Sequence, residues 1–158
     1  MLMLVSSLSC ASFKSVKTAE EKQALKVFDE YTKAFNNRDM AKMITYFSDD
    51  FAWISIKPKV FETLVRGKAQ LIESFDKYFK TYPDVRTEII QLHYDVGFIW
   101  TRERVDWTIG KDKYSELINA VYFMKEGKIQ RLWYFEPPDA LENEEGLMRN
   151  EKLTVDGA

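Results

Sequence analysis

The sequence has little of several residue types on which chemistry is often built. A single cysteine, Cys10, excludes an intramolecular disulfide. A single histidine, His93, cannot supply a metal cluster, and no carboxylates stand at ligand spacing with it. His93 is therefore read as structural or surface. No Ser/His/Asp arrangement with a nucleophile-elbow glycine pattern occurs, nor a phosphate loop, so neither a metal nor a nucleotide cofactor is expected. No run approaches the roughly 18 apolar residues that span a bilayer, so no transmembrane span is expected. Net charge is −2 and no basic stripe is present. Nucleic-acid binding needs clustered Lys and Arg to neutralise phosphates, so no such partner is expected.

What is present is a chain of 158 residues, the size of one domain with short tails. Apolar residues make up 46% and charged residues 30%, a globular balance. Aromatics reach 15%, enough both to fill a core and to wall an apolar pocket.

Residues 1–17 read as a leader and linker. Met1 to Val5 is apolar, and the small residues Ser6 to Ser12 follow. Ser9 and Ala11 suit signal cleavage before Ser12, and Cys10 behind Leu8-Ser9 resembles a lipobox, with Ser7 where that motif prefers Leu. Export or a lipid anchor at Cys10 is one expectation, with a periplasmic location if the source is bacterial. A frayed cytosolic N-terminus is the other.

Thr18-Ala19-Glu20-Glu21 has the form of a capping box. Ala24, Val27, Phe28, Tyr31, Ala34 and Phe35 then recur at helical spacing, and Asn36-Asn37 is expected to stop the helix. Asp39 caps a short helix carrying Met40, Met43, Ile44 and Phe47. Ser48-Asp49-Asp50 reads as a turn. Phe51 to Ile56 reads as a strand limited by Pro58. Gly67 opens a third helix with Leu71, Ile72, Phe75, Tyr78 and Phe79 on one face, ended by Pro83. From Val85 the period becomes two, giving strands near 85–95, 97–108, 113–124 and 128–135. Their short links contain Gly97, Gly110 and Gly127, which implies an antiparallel meander. Pro137-Pro138 ends the sheet, and residues 138–158 form a polar, acidic tail or a short partner-facing helix. Helices followed by a meander imply an α+β fold, with a curved sheet wrapped on helices to leave a conical hollow.

Alternation along the strand after Gly97 places Phe98, Trp100, Arg102, Arg104 and Asp106 on one face. Ile99, Thr101, Glu103, Val105 and Trp107 take the other. Arg104 and Asp106 are same-face neighbours about 7 Å apart at the backbone. In a dry hollow Arg104 would keep Asp106 ionised and oriented for proton transfer. On an open surface the same pair is an ordinary ion pair worth little. The next strand offers Ser115, Leu117, Asn119, Val121 and Phe123 on one face. Asn119 stands either to bond a ligand or to satisfy a buried backbone group. Tyr134, on a face with Leu132 and Glu136, could present its hydroxyl inward. Trp53 and Ser55 share a face of the first strand.

The order of elements resembles the SnoaL-like members of the nuclear transport factor 2-like superfamily. The resemblance rests on Tyr31 to Asp39, Tyr46 to Phe51, Arg66-Gly67-Lys68, Tyr82-Pro83-Asp84-Val85, and Gly127-Lys128-Ile129 ahead of Trp133-Tyr134. It covers about residues 18–137. It implies a cone-shaped apolar cavity, homodimers packed through the outer sheet face, and no cofactor. Its members include cyclases, isomerases, dehydratases, epoxide hydrolases and non-catalytic binding domains.

Thr101 to Asp106 is similar to the catalytic strand of limonene epoxide hydrolases. That likeness implies Asp106 as the acid that protonates an epoxide oxygen and Arg104 as its bridge. The family's second Asp falls on Tyr134, with Glu136 a substitute only if the last strand shifts. The residues that help hold its water fall on Trp53 and Ser55. For ketosteroid isomerase, the catalytic Asp falls near Ser55 and the oxyanion-hole Asp on Asn119. The expected ligand-binding set is Trp53, Ser55, Trp100, Asn119 and Tyr134, and the expected partner is a small apolar molecule. Three functions stay open: a cofactor-free acid–base enzyme centred on Arg104 and Asp106, a binding module without turnover, and an interaction domain working through a dimer surface of Ile99, Val105 and Trp107.

Overall fold

The structure, a computed structural model, describes residues 17–57, 60–135 and 151–152. The expectations for the leader at Cys10, for Glu136 and for most of the tail fall outside these residues. The elements run α1 (Ala19–Asn36), α2 (Met40–Ile44), β1 (Phe47–Lys57), β2 (Val60–Arg66), α3 (Gly67–Thr81), β3 (Arg86–Asp95), β4 (Phe98–Ile109), β5 (Asp112–Lys125), β6 (Lys128–Phe135) and β7 (Glu151–Lys152). The strands form one curved sheet in the order β2-β1-β6-β5-β4-β3, with β7 pairing β5. Neighbours are antiparallel except β1 and β6, which are parallel. Helices packed on such a sheet make the fold α+β, as the pattern of periods implied. Among the described residues no helix is long and apolar enough to cross a membrane.

α1 begins as its sequence dictates, with the Thr18 hydroxyl accepting from the Glu21 N–H at 3.0 Å. Its end differs from expectation. Asn37 stays right-handed (φ −91°), and Arg38 takes the positive φ of 59°. The Arg38 guanidinium holds that geometry by donating to the carbonyls of Phe35, Asn36, Pro83 and Val85. Its head also lies 5.2 Å from the centre of the Phe79 ring. One side chain thereby ties the end of α1 to the segment between α3 and β3.

β1 starts earlier than expected. Phe47 and the acidic Ser48-Asp49-Asp50 lie inside the strand rather than in a helix and turn. Phe47 is buried there against Tyr31 and Phe51. β2 has no counterpart in the sequence reading, because most of its residues are exposed and no alternation marks them. Ile72, expected on the buried stripe of α3, is exposed, whereas Leu71 and Phe75 are buried. The β3–β4 link needs its glycine: Gly97 has φ +83°, and an added Cβ would stand 3.2 Å from the Met124 carbonyl.

The core lies between the sheet's concave face and the helices. Phe28, Tyr31 and Phe35 of α1 and Phe75 of α3 meet Ile99, Val105, Trp107, Ile118, Tyr122 and Met124 of the sheet. Asn36 fastens the end of α1 to β3. Its amide donates to the Thr87 carbonyl at 2.8 Å and accepts from the Thr87 N–H at 2.9 Å, as a neighbouring strand would. Asn36→Ala removes both bonds and should cost about 2 kcal/mol, measured as a lower urea midpoint at unchanged slope.

Candidate functional site

Burial alternates along β4 from Phe98 to Thr108, and it settles which face looks inward. Ile99, Thr101, Glu103, Val105 and Trp107 are buried, while Trp100, Arg102 and Arg104 are exposed. The face carrying Arg104 and Asp106 is therefore the outer one, which corrects the expected orientation. The pair does form, with Arg104 Nε 3.5 Å from Asp106 Oδ2, but the two side chains are 45% and 47% exposed. Arg104 also pairs with Glu88 across β3, and Asp106 accepts from the Ser115 hydroxyl at 2.6 Å. The physical reason is parity. Three charged residues share one face of β4, and burying them all would cost more than burying Ile99, Val105 and Trp107. Those three residues, expected on a dimer surface, belong to the core.

The expected ligand set divides along the same line. Trp53 and Ser55 pair with Leu132 and Tyr134 in the parallel β1–β6 register, and Tyr134 lies opposite Ala120 of the core face. These three residues are together on the concave side, with Trp53 and Tyr134 packed against the core and Ser55 fully buried. The Trp53 and Tyr134 rings stand 6.2 Å apart. Trp100 and Asn119 are outside: Trp100 is 50% exposed, and Asn119 sits opposite Arg102 on the outer face.

The concave face has a polar centre that the sequence reading missed. Glu103, 4% exposed, projects from β4 toward α1. Its Oε1 accepts from the Thr101 hydroxyl at 2.6 Å and the Tyr122 hydroxyl at 2.9 Å, and its Oε2 from the Thr87 hydroxyl at 3.2 Å. Burial pushes the Glu103 carboxyl above the usual range, against the opposing pull of these three donors. Tyr31 and Tyr122 are hydrogen-bonded to each other. Burial, reinforced by the Glu103 charge, raises both phenols far above their ordinary value. Tyr134 is close enough to add to the rise at Tyr122. Tyr122 thus stands between the carboxyl and the Trp53–Ser55–Tyr134 wall. The signal that could have found Glu103 was its parity with Ile99, Val105 and Trp107.

Among the described residues, two donors on this side lack acceptors. The indole N–H groups of Trp53 and Trp107 are buried with no hydrogen-bond partner among the described residues. A second carboxyl, Glu116, is buried on the same face. Its charge, after burial and Tyr82, holds the Tyr78 phenol high. A buried carboxyl that holds its proton more tightly than usual, with buried hydroxyls and indole donors among aromatic rings, can orient one polar oxygen of an otherwise apolar molecule and move a proton to it.

The model of the SnoaL-like domain family matches residues 28–132. No curated protein matches the sequence. Among solved structures, the chain is similar to an LEH-like epoxide hydrolase from M. tuberculosis: 16% identity over 72% of this chain and 82% of that one, TM-score 0.57. It is also similar to an NTF2-like protein of unknown function from Burkholderia pseudomallei: 14% identity over 71% and 88%, TM-score 0.62. An uncharacterized cystatin-fold protein from Novosphingobium aromaticivorans matches with 20% identity over 70% and 96%, TM-score 0.61. At these identities the likeness is one of fold.

Proposed function

This chain belongs to the SnoaL-like domain family, and on that premise we propose that it is a cofactor-independent acid–base enzyme acting on a small apolar molecule held on the concave face. The observation that carries the proposal is Glu103: a carboxyl kept toward its neutral form by burial and joined to the aromatic wall through the Tyr122 hydroxyl. A buried carboxylic acid can give a proton to a ligand oxygen and recover it afterwards. Trp53, Ser55 and Tyr134 are assigned to ligand contact, with the Trp53 N–H donating to the ligand's polar atom. The role expected of Asp106 passes to Glu103.

The test is a panel of small cyclic ketones and epoxides, followed by NMR in deuterated water for exchange or ring opening. Glu103→Gln should lower the rate of any turnover found by about 10²-fold or more, a typical share for general acid–base catalysis. Asp106→Asn should stay within about twofold of the parent, as an exposed pair remote from the reacting atoms would. Ligands that bind with no turnover in the parent protein would make this a binding domain instead.

The outer face supports a second element of the proposal, a homodimer. Phe98 stands 4.9 Å from Phe123 and 6.2 Å from Trp133, and Trp100 beside them is half exposed. A contiguous aromatic patch of this kind suits an isologous contact between two copies. Trp100→Glu should convert the dimer to monomer in light scattering at micromolar concentration, with the fold retained by circular dichroism. An unchanged mass would exclude this patch as the contact.

A further inference from the structure

The two ends of the sheet carry the same pair of features. Among the described residues β2 and β3 each have one strand neighbour, so their outer backbone edges are where another strand could add. Both edges present apolar side chains to such a strand. Val60, Phe61 and Leu64 of β2 and Ile90 and Leu92 of β3 are exposed, Phe61 by 78%. We propose that Gln70 and Asn36 are edge guards, helix amides that take the place of a neighbouring strand and so keep a second copy of this chain from adding to the sheet at either end.

On β2, the Gln70 side chain accepts from the Arg66 N–H at 2.7 Å and donates, more loosely, to the Leu64 carbonyl at 3.5 Å. Those two groups flank Val65, and one residue of a parallel neighbour would bond the same two. On β3, the Asn36 amide bonds both backbone groups of Thr87, the pattern of an antiparallel neighbour. Local sequence sets both positions. Gly67, with φ +76°, turns the chain from β2 straight into α3, which lays Gln70 along the strand just completed. Asn36 is the last residue of α1, where that helix ends beside β3.

A bulge lies near each guard. The β1–β2 register skips Leu64, between the pairs Trp53–Val65 and Ile54–Thr63. The β3–β4 register skips Ile90, between the pairs Ile89–Glu103 and Gln91–Arg102. An extra residue bends an edge and breaks the ladder that a new strand would need. Guard and bulge together leave 60–63 and 91–95 as the longest uninterrupted stretches. A strand pairing along so short a stretch gains too little to offset the ordering of both chains. Two edges of different sequence, closed by different helices, share this arrangement. It agrees with the outer-face contact proposed above and does not depend on it.

Gln70 also serves α3, because Arg66 is the N-cap of that helix and its own side chain caps nothing. The experiment separates the two roles. Association is measured by light scattering over a dilution series, in the Trp100→Glu background so that the outer-face patch does not mask the edges. Gln70→Ala and Asn36→Ala should each lower the concentration for self-association at least about tenfold, with new amide protection in hydrogen exchange along β2 and β3 respectively. Gln70→Glu keeps an acceptor for the Arg66 N–H and puts a charge on the edge, so it should match the background. Thr18→Ala removes a cap from α1 without opening an edge, and it should match the background too. The guards are overturned if Gln70→Ala and Asn36→Ala associate no more than the background, or if Thr18→Ala or Gln70→Glu associates as they do. New protection away from β2 and β3 would overturn them as well. Should Trp100→Glu itself leave a dimer, the aromatic patch is excluded, and the same comparisons are read above that dimer.

Discussion

Truncating Phe28 to alanine should lower the free energy of unfolding by about 3–5 kcal/mol. Phe28 is 2% exposed and packs edge-on to Tyr122 with ring centroids 4.8 Å apart. It also touches Tyr31 at 6.2 Å. The change removes a ring from the junction of α1 with β5, and neighbours held in sheet register cannot collapse into the gap. Domains of this size have about 5–15 kcal/mol to lose in all. Urea unfolding at pH 7 measures the effect as a fall in midpoint with slope preserved. A loss below about 1 kcal/mol would mean that α1 does not sit on the sheet as described.

The second large effect lies at Glu103. Glu103→Ala strands the hydroxyls of Thr101, Tyr122 and Thr87 without their common acceptor, and should cost about 3 kcal/mol or more. Glu103→Gln keeps an acceptor of the same shape, so it should be far milder. The two variants also differ from the parent in pH dependence. The folded-state pKa of Glu103 is raised, so the folded chain binds this proton more tightly than the unfolded chain. Stability from the group is then fully present below the unfolded value and is lost as pH rises through the folded one. The Gln variant cannot ionise there. Its stability relative to the parent should rise across that window and level off above it. Parallel stability curves for parent and Gln variant would contradict the raised pKa.

Much of the fold was legible because period and turn chemistry agreed. Thr18 and Asp39 capped the helices they were expected to cap, and the glycines of three tight links marked the meander. β2 was not legible, because a strand exposed on nearly every residue carries no alternation. Phe47 was misplaced because one residue between a short helix and a strand fits both periods.

The site was harder to read. Pleating grouped Arg104 with Asp106 correctly, yet pleating alone does not say which face turns inward. Likeness to a catalytic strand pointed one way and hydrophobic parity the other, and parity decided. Ile99, Val105 and Trp107 carried Glu103 inside with them. Trp53, Ser55 and Tyr134 were grouped through family resemblance alone, and the parallel β1–β6 register, which the sequence reading did not contain, is what sets them side by side.

A carbon-13 NMR pH titration of the side-chain carboxyls is the most direct measurement, with Glu103→Gln to assign the resonance. One glutamate should titrate clearly above 4.5, the ordinary value for this group, and its signal should vanish in the variant. If the Glu103 resonance titrates at or below that value, the concave face holds an ordinary solvated carboxylate. The proton donor at the centre of the proposed chemistry would then not exist.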